Sequence, residues 1–517
     1  MDHSAESPFP QPLIDAFRAR PDVPAFEYRS RPVPRAEVLE LIGRCAHGLR
    51  AAGLGPGRPI TLATAVTPEA FALRIAAHLL GCRVTGLPPG LTPHQLSRVL
   101  TDGTGTIVTD ESTDGLQLPP HTKQTTRLRL ESDLLNPASA ALAPDQLTAQ
   151  GRPDDIALIN LTSGSTGRPK GCAQTYRSLT RNWAWQPARW TARTDELAAG
   201  YARYLLFGTL TSAVIFEHLG LSLLGGGTAV IPAPPLEFPQ VFERHRITAC
   251  LLTVPRLHHV LDTLRTEHVD TSSLRALLVA GSPLAPHRLA EAVERLGPAV
   301  HHAYGQTETG MLTLLTPGEL ARLPREEALS RTTVGRPLDT VELSVRDPEG
   351  RPLPAGETGE IWARTDSAMA GYWQDEEQTR EVLRDGWVRT RDLGHLGEGG
   401  LLRLTGRIRD VIIVNAVLHY AGAIEQCLAG HPDVDQAYVA GAPDERTGEA
   451  AHAFVVPVAG RAPDLAALRA RVAAELGEAS VPATLTVIRE APTTPGGKPD
   501  KRALLASFLA GAERGEH

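Results

Sequence analysis

The sequence predicts an α/β protein, and three observations carry that prediction. Through the N-terminal half and beyond, apolar runs of strand length alternate with longer amphipathic stretches. After about residue 340, turn signals punctuate short alternating runs, the pattern of antiparallel β structure. From residue 409 to residue 517 a compact run of strands and helices closes the chain, in the size range of an independent domain.

In chain order, "ITLATAV" precedes "TPEAFALRIAAHLLG", "GTAVIP" precedes "PLEFPQVFERHR", "ACLLTVP" precedes "RLHHVLDTLRTE" and "RALLVAG" precedes "SPLAPHRLAEAVERLG". Repeated strand-then-helix units argue for parallel sheets covered by helices, in which ligands sit beyond the carboxyl ends of strands. "VELSVRDPEGRPLPAGETGEIWAR" then reads as antiparallel hairpins. Past "TGRIRD" (405–410) come "VIIV", "AGAIEQCLAG", "DQAYVAGA", "AHAFVVPV", "LAALRARVAAELG" and "ATLTVIRE", a small α/β unit. The expected division is therefore 1–408 and 409–517.

Composition excludes several classes of function. A formal net charge of -7 leaves no basic surplus for a nucleic-acid backbone. No run of about 18 uncharged apolar residues suggests a membrane span. The start, "MDHSAESPFP", lacks the basic flank and apolar core of a signal peptide, so a cytoplasmic location is expected. The five cysteines are odd in number and scattered, without a CxxC pair, and read as reduced, buried thiols rather than a zinc site or disulfide frame.

The stretch with most chemistry in it is "NLTSGSTGRPKGC" (160–172), which follows the apolar "DIALI". Gly, Ser and Thr compete with helical and sheet hydrogen bonding, so the stretch is expected to be a loop. A Gly-rich loop after a strand offers backbone N–H, hydroxyl and ammonium donors to an oxyanion. P-loop spacing is not met, because Gly164 and Gly167 are three apart and Gly171 follows Lys170. On the string alone, a phosphate cradle and a plain surface connection both remain open.

Four further motifs decide between them. "TSGSTGRPKG" (162–171), "AYGQTETG" (303–310), "RTRDLG" (389–394), "GRIRD" (406–410) and "TPGGKPDK" (494–501) occur in that order. Together they resemble the adenylate-forming superfamily of acyl-CoA synthetases, peptide-synthetase adenylation domains and luciferase-like ligases, and the resemblance covers nearly the whole chain. It implies a large N-terminal domain of helix-covered, mostly parallel sheets with a small β-barrel-like subdomain. A small mobile C-terminal α/β domain would follow, turning about a hinge at Asp410.

The same resemblance implies ATP and Mg²⁺ as cofactors and assigns roles by position. Thr162, Ser163, Gly164, Ser165, Thr166, Gly167 and Lys170 would wrap the β- and γ-phosphates. Tyr304 would lie against the adenine, with Gly281, Ser282 and Pro283 as the opposite wall. Thr307 would reach the α-phosphate and Glu308 would bind Mg²⁺ as a hard oxygen ligand. Asp392 would accept from the ribose hydroxyls with Arg407 close by. Lys498 would stabilise charge on the attacking carboxylate and the α-phosphate. The implied chemistry is attack of a carboxylate on ATP with release of pyrophosphate, then transfer of the acyl group to a second nucleophile.

Two departures bear on substrate and acceptor. Amino-acid-activating relatives place an Asp near the segment matching "YLLFG" (204–208). Here the only acid between Tyr201 and Pro235 is Glu217, well past that position, so an α-amino acid is rejected. Leu205 stands where aryl and acyl relatives often have His, which makes the expected pocket apolar. Leu205, Phe207, His302 and Gly310 are its expected lining, while His301 and His302 read equally as histidines satisfied by backbone groups. Ala416, in "VIIVNAVLHY", replaces a glycine common in relatives that use a pantetheine thiol, and a methyl there narrows a thiol tunnel. The favoured reading is an aryl or acyl acid passed to a thiol, CoA or a carrier protein. The alternative is an amine acceptor, as in an amide synthase or in diazotase-like activation of a small oxyanion such as nitrite. A non-catalytic nucleotide-binding homologue is disfavoured by the presence of Lys498, Glu308 and Asp392.

Overall fold

The computed structural model describes residues 6–100, 105–122, 125–136, 140–163, 169–282, 284–323, 333–397, 399–414, 417–444, 446–494 and 498–513. Among them the chain forms four sheets in an α/β architecture. In the first, Thr126–Arg129, Thr106–Thr109, Pro59–Ala63, Arg83–Gly86 and Ile156–Ser163 run parallel in that spatial order. Ile156–Ser163 then pairs antiparallel with Pro169–Thr175, which pairs with the short edge Gly371–Tyr372.

The Gly/Ser/Thr stretch departs here from expectation. Its flanks, Leu161–Ser163 and Pro169–Cys172, are sheet strands in register, with Thr162 opposite Lys170. β-branched Thr162 suits a pleated strand. A Cβ on Gly171 would meet Ile159 Cγ2 at 2.6 Å, so the missing side chain is what lets the two strands pack. The chain thus turns back as a strand instead of entering a helix. Gly164, Ser165, Thr166 and Gly167 lie outside the described residues.

The second sheet has nine strands. Its centre, Val300–Gln306, Ala276–Ala280, Ala249–Thr253, Arg203–Leu205, Thr228–Ile231 and Pro24–Tyr28, is parallel. These strands are apolar on both faces because helices cover both sides. Tyr204 and Leu205 show the alternation: Tyr204 joins the large core between the sheets, whereas Leu205 packs with Val230, Phe242 and Cys250 on the opposite face. Gly310–Leu315 returns antiparallel beside Val300–Gln306 and forms a hairpin whose turn carries Thr307 and Glu308.

The region expected to be antiparallel is a five-stranded antiparallel sheet of Val341–Arg346, Gly359–Thr365, Trp387–Leu396, Leu383–Arg384 and Leu402–Arg407. The last sheet begins at Val411 and has its own core, in which Ile412, Ile424, Leu428, Val439, Val455, Leu468 and Val472 are buried together. All five cysteines are buried and unpaired with one another, as expected of small apolar packing residues. No helix among the described residues is long and apolar enough to cross a membrane.

The seam between the last sheet and the second sheet's helices is polar. Arg288, on the helix Pro286–Leu296, is 1% exposed and donates to Asp435 on the strand Val434–Asp444. Its other amino group reaches Glu291 at 3.0 Å and Asp262 at 3.3 Å. Desolvation acts to raise the Asp435 pKa, but His287 and Arg288 outweigh it and hold it down at about 2. The pair is consequently fully ionised above the ordinary Asp value of 3.8, and its contribution is lost only as pH falls toward about 2.

Candidate active site

The side chains singled out in four separate motifs meet where the hairpin turn at 307–309 faces the third sheet. The strand pair Trp387–Leu396 and Leu402–Arg407 sets Asp392 directly opposite Arg407. Arg407 Nε lies 2.8 Å from Asp392 Oδ1. The other carboxylate oxygen accepts from Tyr304 Oη at 2.7 Å and from Gln306 Nε2 at 2.6 Å. Asp392 is buried at 3% exposure, so these donors replace the water it has lost. Its charge first, then others, raises the Arg407 pKa, while burial and the same carboxylate raise that of the Tyr304 phenol. The phenol and the guanidinium therefore stay protonated, as their hydrogen bonds require.

Glu308, at the hairpin turn, is held from a different sheet edge. Tyr372 Oη donates to its Oε1 at 2.8 Å. Lys170, one strand away, places its ammonium over the Tyr372 ring at 5.1 Å and donates to Gln378 Oε1 at 2.6 Å. Lys170 therefore belongs to the return strand, braced beside Glu308 through Tyr372. Thr162 Oγ1 donates to the Lys170 carbonyl at 3.5 Å across the same pair. No group of three His, Cys, Asp or Glu residues converges among the described residues. A single carboxylate is the donor set Mg²⁺ takes when phosphates and water supply the other oxygens, so Glu308 fits such an ion.

Lys498 arrives from the C-terminal unit. A Cβ on Gly281 would lie 3.6 Å from its Cε, and Gly281 has a φ of +96°, a conformation that glycine adopts without strain. Lys498 keeps solvent access, yet desolvation and then Arg407 lower its ammonium pKa against the pull of Asp392 and Glu308. Ser282 and Thr307 are half-buried beside these groups in sequence, and Pro283 lies outside the described residues, as does Ala416. Asp410 accepts from Lys501 Nζ at 3.1 Å, and Lys501 also lies 2.6 Å from Glu425. The segment that carries Lys498 is tied to Asp410 in this way.

The expected pocket residues are placed less uniformly. Leu205 is fully buried in the second core, and Phe207 is partly buried against Phe238. His301 and His302 both use Nδ1 to donate to backbone carbonyls, Ala299 at 2.8 Å and Thr333 at 3.1 Å. Burial pushes the His302 pKa down to about 4. Both rings are thus satisfied by backbone, the second of the two readings given above. Gly310 has a φ of +71° and faces the Glu217 carboxylate.

Sequence reasoning missed Tyr372, Gln306 and Gln378. Gln306 lies within "AYGQTETG", but nothing in a string tells which of its residues reaches Asp392, 86 positions on. Tyr372 and Glu308 are 64 positions apart, and their hydrogen bond has no signal in sequence spacing.

Comparisons with known proteins bear on the family and the fold. A family model described as "AMP-binding enzyme" matches residues 14–373, and one described as "AMP-binding enzyme C-terminal domain" matches residues 423–498. Among solved structures, the amide bond synthetase McbA from Marinactinospora thermotolerans superposes with a TM-score of 0.80 at 32% identity, covering 96% of this chain and 99% of that one. A feruloyl-CoA synthase from Amycolatopsis is 31% identical over 488 residues, covering 93% of this chain and 95% of that protein. The medium/long-chain-fatty-acid–CoA ligase FadD8 of Mycobacterium tuberculosis is 29% identical over 532 residues, covering 97% and 90%.

Proposed function

The chain belongs to the AMP-binding enzyme family, and from that premise we propose that this adenylate-forming ligase activates a non-amino-acid carboxylic acid, aryl or acyl, with ATP. One observation carries the reading: Lys498 from the C-terminal unit lies against Gly281 and within the electrostatic reach of Glu308, Asp392 and Arg407. A cation so placed supports the reading, because attack on an α-phosphate builds up negative charge that a nearby ammonium stabilises.

In this reading Asp392 holds the ribose hydroxyls, and Tyr304 and Gly281 flank the adenine. Thr162, Lys170 and the residues between them in sequence receive the β- and γ-phosphates. Glu308 would hold Mg²⁺, which when bound neutralises phosphate charge. A carboxylate oxygen of the acid forms a bond to the α-phosphorus as the bond to the pyrophosphate oxygen breaks. Lys498 stabilises the charge on the attacking carboxylate and the α-phosphate. The acyl carbon is then attacked by the acceptor, and AMP leaves with the electron pair of the acyl–oxygen bond. The halves 1–408 and 409–517 move relative to each other between the steps, with Asp410 as the hinge.

The hinge assignment has a direct check. Proline fixes φ near -65° and removes an N–H. Asp410→Pro is therefore expected to slow the overall two-step reaction by more than it slows ATP–pyrophosphate exchange. Equal loss of both would place the hinge elsewhere.

A thiol, CoA or a carrier protein, is the favoured acceptor, in keeping with the CoA ligases among the relatives. An amine is the second reading, favoured by Ala416 and by the likeness to an amide bond synthetase. The test is pyrophosphate release over aliphatic acids, aromatic acids and small oxyanions, each with CoA, with amines and with neither, followed by mass spectrometry. Under the thiol reading, wild type makes a CoA thioester and Ala416→Gly maintains or raises its rate with adenylation unchanged. An amide product and no thioester from wild type would overturn the thiol reading, and no pyrophosphate release from any acid would overturn the activation reading.

A further inference from the structure

One short strap of chain holds Glu308 at two levels. Met369 N–H donates to the Glu308 carbonyl at 2.9 Å, and Tyr372 Oη, from the same strap, donates to its carboxylate. Between and beyond them the strap is stitched to the return strand Pro169–Thr175. Ala370 N–H donates to the Ala173 carbonyl and Trp373 N–H to the Gly171 carbonyl, each at 2.7 Å. Tyr372 N–H ends on Thr379 Oγ1 at 2.9 Å, in the helix Glu376–Val382. That helix also carries Gln378, the acceptor for Lys170.

The Tyr372 phenol therefore serves two charges of opposite sign. The Lys170 ammonium lies over its ring at 5.1 Å, where the face of an aromatic ring is electronegative. The hydroxyl, its electropositive end, meets Glu308 at 2.8 Å. Tyr372 is 7% exposed and packs with Cys172, Met369 and Val382. A phenylalanine would fill that space as well, so packing does not account for the hydroxyl. Satisfying Glu308 does not either, because that residue is only half-buried and water can serve a carboxylate there. What the bond does is fix Oε1, and with it the direction in which Oε2 points. A carboxylate left to turn about its last bond has to be ordered by the cation that binds it, and an outer hydrogen bond removes that cost.

We propose that Tyr372 is a positioning residue for Mg²⁺: its hydroxyl aims the Glu308 carboxylate while its ring carries Lys170, so that ion and ammonium meet one polyphosphate at a set spacing. In this role Tyr372 acts through the two side chains it holds and touches neither nucleotide nor ion. The inference rests on the activation reading, in which Glu308 holds the ion and Lys170 faces the β- and γ-phosphates.

The test is equilibrium binding of ATP to the whole chain by calorimetry, across a Mg²⁺ titration and in EDTA. Tyr372→Phe is expected to raise the Mg²⁺ concentration for half-maximal tightening of ATP binding by roughly 10-fold, the low end for losing the partner of a metal ligand. ATP affinity in EDTA, AMP affinity and the unfolding midpoint should stay close to wild type, since the ring and its contact with Lys170 remain. Tyr372→Leu removes the ring too and should also weaken ATP in EDTA, by about two- to fivefold. A wild-type Mg²⁺ dependence in Tyr372→Phe overturns the proposal, as does equal weakening with and without the ion, the mark of a merely structural role. Glu308→Gln separates that failure from failure of the reading beneath it. If Glu308→Gln shifts the Mg²⁺ dependence and Tyr372→Phe does not, only the positioning role falls. If neither shifts it, Glu308 is not the ion's ligand and both fall. Should Tyr372→Phe fail to fold, Thr379→Val, which takes the acceptor from the Tyr372 N–H, is titrated in its place. A shift of roughly threefold is then expected, and an unchanged dependence overturns the proposal in the same way.

Discussion

Lys498→Ala is expected to abolish adenylate formation while leaving nucleotide binding nearly intact. The side chain belongs to the C-terminal unit, yet its Cε lies 3.6 Å from where a Cβ on Gly281 would stand, and Arg407, Asp392 and Glu308 all act on its charge. A cation placed where charge develops is worth roughly 10²–10³ in rate, like the donors of an oxyanion hole. In the proposed reading, the ground-state nucleotide has its main contacts elsewhere, at Tyr304, Asp392 and Glu308. The measurement is acid-dependent ATP–pyrophosphate exchange set beside a nucleotide titration. Exchange at the wild-type rate in the variant would remove Lys498 from the mechanism.

Asp392→Ala is expected to do damage of a different kind. The carboxylate satisfies Tyr304, Gln306 and Arg407 together. Arg407 keeps about 60% of its side chain exposed and can be solvated again when its partner goes. The Tyr304 hydroxyl cannot, because the residue is buried. An orphaned buried donor costs about 1–3 kcal/mol, so the midpoint of denaturant unfolding should fall measurably. Nucleotide affinity should fall further, by roughly 10- to 100-fold, because the ribose acceptor and the Tyr304 orientation are lost together. Asp392→Asn retains one acceptor oxygen and should recover most of the stability and little of the affinity. Unchanged nucleotide binding in both variants would exclude Asp392 from the ribose site.

These effects differ because they draw on different levels of the structure, and the levels were not equally legible in the sequence. The parallel sheets could be read from runs such as "RALLVAG", because a strand covered on both faces is apolar at every position. The small unit after Val411 could be read from its own apolar periodicity, which became a separate core. What spacing could not convey was the partner of each polar group. Tyr372 meeting Glu308, Gln306 meeting Asp392 and Glu217 meeting Gly310 are consequences of strands and helices distant in sequence being folded together. The return of the chain at Pro169–Thr175 was hidden for another reason. Glycine and serine lower strand propensity locally, but the close approach of Ile159 to Gly171 makes a side-chain-free position an asset there.

The seam at Arg288 has a bearing on how the two parts of the chain can separate. Drawing the last sheet away from the helix Pro286–Leu296 takes Asp435 into water, where a carboxylate is well solvated. Arg288 stays behind, where it already holds Glu291 and Asp262 as well. Parting therefore strands no bare charge on either side: one ion is rehydrated, the other keeps two counter-ions on its own side of the cut. The contact works like a plug whose socket remains earthed after it is pulled, so that the separation proposed above would leave no bare charge to be compensated on return.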